Sequence, residues 1–196
     1  MHSIEPHFRW RDEYTAEQDE RSPFYGREYS EFYFENRIYN YLIHPQWDEF
    51  GSETLYLKIL FVDYERGYAI IELIGEWNDT LNNDMGCLKD ELLDLLQGEG
   101  IRYFMLIMEN VLNFHGSDDA YYEAFVEDLD EEEGWCCFLN LRQHLSAEME
   151  AHDLHEHIYF GAPFNELNWR PQKPLHLFLQ IKEKIRAMDE PVYFLD

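Results

Sequence analysis

The stretch IRYFMLIMENVLNFHGSDDAYYEAF, residues 101–125, decides how this chain is read. Its first eight residues, 101–108, form a nearly continuous apolar run. That composition predicts a strand covered on both faces, because a half-exposed strand would alternate with period two. A polar knot follows: His115, Gly116, Ser117, Asp118 and Asp119. After it, Ala120, Tyr121, Phe125 and Leu129 recur at helical spacing. The order is therefore strand, turn, helix. Ser117 offers a hydroxyl cap, and Asp118 and Asp119 place carboxylates at the positive end of the helix dipole. The knot thus reads first as a well-built helix start. A phosphate on Ser117 would also meet the helix N-terminus favourably, although the two neighbouring carboxylates oppose it. A binding surface is the third use open to it. His115, Ser117 and Asp118 stand too close in sequence to converge as a nucleophile and its base, and no Gly-x-Ser-x-Gly elbow is present.

Outward from this stretch the same alternation continues. Toward the N-terminus, TLYLKILFVDY and GYAIIELIGEW are strand runs joined by a hairpin-length loop. Asn78-Asp79-Thr80 supplies a helix cap, and MGCLKDELLDLLQGEG follows with Met85, Leu88, Leu92, Leu95 and Leu96 on one face until Gly98 stops it. Toward the C-terminus come an acidic loop over residues 130–133, the buried strand GWCCFLNL, a helix from Ser146, a short strand at residues 158–160, and a last helix after Pro174. That helix carries Leu175, Phe178, Ile181, Ile185 and Met188 on one stripe. Strands alternating with helices predict parallel neighbours, with the hairpin as the antiparallel part of a mixed sheet. Residues 1–50 read as an aromatic N-terminal extension, irregular with short strands within residues 31–43 and a short helix near residues 15–21. Residues 51–196 read as the α/β domain. Phe32, Phe34, Tyr39 and Tyr41 are expected to cover the open sheet face or to form a homodimer contact.

Composition narrows the function. With 15 basic and 41 acidic residues the formal net charge is −26, which repels phosphate backbones and anionic headgroups and argues against nucleic-acid and membrane-surface roles. No run approaches the roughly 18 apolar residues of a membrane span, and the first residues lack a signal-peptide core, so a cytoplasmic location is expected. Cys87, Cys136 and Cys137 have no disulfide spacing, and the adjacent pair should face opposite sides of the sheet as inert thiols. Between Tyr103 and Leu141 there are ten acidic residues and no Lys or Arg; this stretch reads as a solvated face or as a surface for a basic protein partner. His152 and His155 could share a helical face as metal ligands, but they also read as histidines of a solvated acidic helix tail. No metal or cofactor is assigned.

The element order and local motifs resemble the STAS domain, the sulphate-transporter and anti-sigma-factor-antagonist family, over residues 54–190. The carrying residues are IIELIGEWNDTLNNDMGCLKDELLDLL, the strand IRYFMLIMENVLNF with its turn His115-Gly116-Ser117-Asp118, and WCCFLNLRQHLSAEMEAHDLHEHIYFG. The family turn is Asp-Ser-Ser-Gly, and its second serine is phosphorylated by a partner kinase. Ser117 falls at that place, while His115, Gly116 and Asp118 depart from the pattern. The resemblance implies a STAS-like mixed β-sheet with helices packed on it, and a non-enzymatic regulatory or protein-interaction module. The alternative is a small-ligand-binding protein, or an enzyme, with a pocket between the N-terminal extension and the sheet.

Overall fold

A computed structural model describes residues 4–30, 32–34, 36–117, 120–131 and 133–189. Two short strands, β1 (Arg37–Ile38) and β2 (Tyr41–Leu42), form a small ladder. The main sheet is four-stranded in the order β3-β4-β5-β6, with β3 Leu55–Asp63, β4 Tyr68–Asn78, β5 Tyr103–His115 and β6 Trp135–Leu139. β3 and β4 pair antiparallel, Ile59 opposite Ile71. β5 lies parallel to both its neighbours, with Leu106 beside Ile71 and Phe138. The sheet is mixed as expected, and the apolar run of residues 101–108 belongs to an interior strand that continues to His115. Gly75 in β4 adopts a φ of +123°, and a β-carbon there would lie 2.1 Å from the Thr54 carbonyl oxygen. Only glycine fits this irregular crossing of β3 and β4.

Both faces of the sheet are buried. One face sets Leu57, Ile71, Phe104, Leu106 and Phe138 against helices α2 (Asp84–Leu88), α3 (Asp94–Gly98), α4 (Ala120–Glu131) and α5 (Gln143–Ala151), after the single-turn α1 (Asp79–Asn82). The other face sets Tyr68, Ile70, Met105, Ile107 and Leu139 against α6 (Pro174–Asp189) and Trp10. Tyr68 stacks on Phe178 of α6 with ring centroids 4.3 Å apart. Cys136 and Cys137 do face opposite sides, and burial pushes both thiols up.

Several expectations are corrected. The second face is covered mainly by α6, because Leu177, Phe178, Ile181 and Ile185 form a complete apolar stripe at helical spacing. Phe32, Tyr39 and Tyr41 do not cover it: Phe32 is 82% exposed, and the two tyrosines also lie open to solvent. The first fifty residues anchor themselves through Trp10, Ala16, Phe24, Ile38, Ile43, Trp47 and Phe50 instead. Residues 15–21 form turns, not a helix. α5 starts at Gln143, so Ser146 is an interior position and not its cap. α4 runs through the first half of the expected acidic loop, to Glu131. The expected strand at residues 158–160 shrinks to a single parallel bridge between Cys137 and Tyr159.

The helix after β4 also departs from regular periodicity. A π-helical turn, Lys89–Leu93, separates α2 from α3. The wider turn rotates the following residues about the axis. Leu93 becomes buried, and Leu95, expected on the apolar face, is 50% exposed.

Candidate functional site

The carboxyl ends of β4 and β5 finish side by side, with Asn78 paired to His115 in the parallel register. At this edge the chain turns twice. Asn78 caps α1 by accepting the Leu81 N–H at 2.9 Å. Thr80, on α1, donates its hydroxyl to the Gly116 carbonyl at 2.8 Å and so ties the first turn to the second. On the other side the His152 ring, at the end of α5, packs on Phe114 with centroids 6.0 Å apart and closes against Gly116. His115 and Ser117 are exposed on this pinned turn, and Leu81 stands beside it, 81% exposed. Asp118 and Asp119, the remaining residues expected at the site, lie outside the described residues.

Beneath the turn lies a buried acidic pair. Asp79 accepts hydrogen bonds from Trp77 Nε1 at 2.9 Å, from the Met85 N–H at 2.8 Å and from the Tyr122 hydroxyl at 2.7 Å. One carboxylate thus joins the end of β4, α2 and α4. Burial raises its pKa, and these three donors oppose the rise. Asp84 accepts the Asn78 N–H at 2.6 Å, and burial pushes its pKa up to about 6. The pair holds the exposed turn on a rigid base.

The two histidines considered as metal ligands have different surroundings. His152 belongs to the turn, whereas His155 lines a cleft of ≈ 270 Å³ with Asp130, His157 and Tyr159. No cluster of three or more metal-ligating side chains occurs among the described residues.

A second polar centre, absent from the sequence reading, sits mid-sheet. Glu72 of β4 is fully buried; it accepts the His7 N–H at 2.8 Å and the Asn110 amide at 3.3 Å, with Arg170 Nη2 at 3.6 Å. Arg170 also pairs with Glu109, which accepts from Asn140 and Trp169, each at 3.3 Å. Burial pushes the Glu72 pKa up to about 7. Burial, and then the Arg170 charge, push the His7 imidazole down to about 4. A lone carboxylate inside IIELIG was the available signal, but its partners His7 and Arg170 are too distant in sequence to be guessed.

No family model matches the sequence, and no curated protein matches it. Solved structures do. A candidate anti-sigma factor antagonist of Thermotoga maritima is 10% identical, with a TM-score of 0.40 over 64% of this chain and 92% of that one. The Bacillus cell-fate determinant SpoIIAA, in its phosphorylated form, is 12% identical, with a TM-score of 0.39 over 54% and 91%. An NMR structure of the Thermotoga protein is 13% identical, with a TM-score of 0.34 over 52% and 76%. In element order and strand pairing this chain is an α/β domain with a four-stranded mixed sheet and helices packed on it. No helix among the described residues is long and apolar enough to cross a membrane.

Proposed function

We propose that this STAS-like domain is a non-enzymatic regulatory or protein-interaction module that docks a protein partner on the turn formed by His115, Gly116 and Ser117, with Leu81 beside it. The observation that carries this reading is the double pinning of an exposed turn: Thr80 holds the Gly116 carbonyl, and His152 closes the other side. A loop presented by a rigid scaffold binds without a large ordering cost. The net charge of −26 favours a basic partner surface. Ser117 is the position at which a phosphate would change that surface, by adding negative charge beside α4.

Photo-crosslinking tests the assignment. A photoreactive residue at Leu81 should capture a protein that the same residue at Leu179, exposed on α6, does not. His115→Asp in the same crosslinking chain should abolish that capture. Equal capture from both positions overturns the proposed surface, and an adduct of the chain with itself assigns it to a homodimer.

A second reading is favoured by Glu72. The N-terminal segment and the loop before α6 enclose a cleft of ≈ 470 Å³ lined by Glu5, His7, Arg9, Asn168 and Arg170. Arg170 lines this cleft and is in ionic contact with buried Glu72. Carboxyl and imidazole groups with displaced pKa values beside a cleft are the pattern of a ligand-binding or catalytic pocket. A small-molecule response at the His7 and Arg170 amides that Glu72→Gln removes would move the function to this cleft.

A further inference from the structure

The carboxyl end of β6 opens onto a separate cleft of ≈ 670 Å³, between the first turns of α5 and the loop of residues 161–166. Its volume lies within the roughly 300–1,000 Å³ of small-molecule pockets.

One wall is a donor surface. The N-cap residue of α5, Arg142, makes no side-chain cap bond, and the first intrahelical bond runs from the Ser146 N–H to the Arg142 carbonyl at 3.1 Å. The N–H groups of Gln143, His144 and Leu145 precede it, at the positive end of the helix dipole. Ser146 lines the same cleft, is only 9% exposed, and its hydroxyl has no hydrogen-bond partner among the described residues. A buried hydroxyl without a partner carries a desolvation cost that a ligand would relieve.

The other groups are acceptors. Glu150 lies four residues beyond Ser146 on the same helical face, and Glu166 lines the loop side. Neither forms an ion pair among the described residues, whereas Glu109, also at the cleft, is already held by Arg170, Asn140 and Trp169. Asn165 Oδ1 is buried here without a hydrogen-bond partner. A simple anion would meet Glu150 and Glu166, and a simple cation would meet Arg142 and the helix dipole. A ligand carrying both signs satisfies both walls. Four residues of α-helix span about 6 Å, a distance that a molecule of amino-acid size bridges with a hydrogen bond at each end.

We propose that this cleft binds a small zwitterion of the amino-acid type, its carboxylate seated on the N-terminus of α5 and the Ser146 hydroxyl, and its ammonium directed to Glu150, Glu166 and Asn165. The test is an amide chemical-shift titration of the full chain with each proteinogenic amino acid as free zwitterion, and with acetate and ethylammonium as single-charge controls. At least one amino acid should shift the amides of Gln143, His144, Leu145 and Asn165 in a saturable way, while both controls fail to saturate. Ser146→Ala should weaken that binding roughly tenfold, the loss expected for a hydrogen bond to a charged group, without lowering thermal stability, because the hydroxyl has no hydrogen-bond partner among the described residues. Glu150→Gln should weaken it independently. Saturation by acetate alone, affinity unchanged in Ser146→Ala, or no shift with any amino acid overturns the proposal.

Discussion

Gly116 and His152 are fitted to each other: a β-carbon on Gly116 would lie 2.7 Å from Cδ2 of the His152 ring. The STAS pattern has serine at this place in the turn. Here the imidazole from α5 occupies the volume that a side chain would need. Gly116→Ala should therefore push the ring out, at a cost of roughly 1 kcal/mol, the low end for overpacking because His152 is exposed and can swing away. Adding His152→Ala should recover most of that loss. Urea midpoints of the two single variants and the double variant measure the coupling, and simple additivity would show that the two residues do not compete for space.

Glu72 sets a pH dependence with a definite sign. Its carboxyl is raised from 4.5 to about 7 by burial, so the unfolded chain releases this proton at lower pH than the folded one. The stabilisation is complete below the unfolded value and is lost as pH rises through the folded one, by an amount on the order of 3 kcal/mol. Asp84, raised from 3.8 to about 6, acts in the same direction. His7, depressed from 6.5 to about 4, acts in the opposite direction below about pH 6.5, so the fall in unfolding free energy should be clearest between about pH 6.5 and pH 8. Glu72→Gln should flatten that fall. A wild-type protein that gains stability across the same window, or a Glu72→Gln profile parallel to it, would contradict this account.

The parts of the fold legible in the sequence were those where side-chain pattern alone sets the geometry. The runs around Ile71, Leu106 and Phe138 are apolar on both faces because β4, β5 and β6 are covered on both sides, so the parallel pairing of β5 with β6 could be read from them, although β6 ends the four-strand order and does not lie near its centre. The turn at His115 was legible because polarity switches sharply there. What supports the turn was not. Asp79 and Tyr122 meet across 43 residues of sequence, and His152 arrives from a third element. Aromatic content misled in the extension: Phe32 and Tyr41 look like core residues in a list, but buried positions went to Trp10, Phe24 and Trp47.

The helix after β4 shows a second limit, because a helical-wheel reading assumes an unbroken period. The π-turn at Lys89–Leu93 exchanges the roles of Leu93 and Leu95, two residues apart. Leu93→Ala should cost about 2–5 kcal/mol as a buried cavity, and Leu95→Ala should stay within about 0.5 kcal/mol. An uninterrupted α-helix, with Leu95 facing the sheet, requires the reverse order. Thermal denaturation of the two variants decides between the geometries.

The N-terminal extension should divide just as sharply. Trp10 donates its indole N–H to the Gln172 carbonyl at 2.9 Å and packs edge-on against His7 and Trp169, at 4.9 and 5.7 Å between centroids. It is the extension's contribution to the apolar cluster that seats α6 on the sheet. Trp10→Ala should cost about 3–5 kcal/mol, as for other large buried aromatics. It should also loosen α6, visible as faster amide exchange at Leu177 and Ile181. Phe32→Ser and Tyr41→Ser remove aromatic rings that face solvent, and each should change stability by less than about 0.5 kcal/mol. If these exposed rings serve a homodimer instead, the same two variants will lower the sedimentation mass while leaving the monomer's unfolding unchanged. A large loss of stability from Phe32→Ser in a protein that sediments as a monomer would mean that the ring is packed inside the fold, against the exposed position assigned to it.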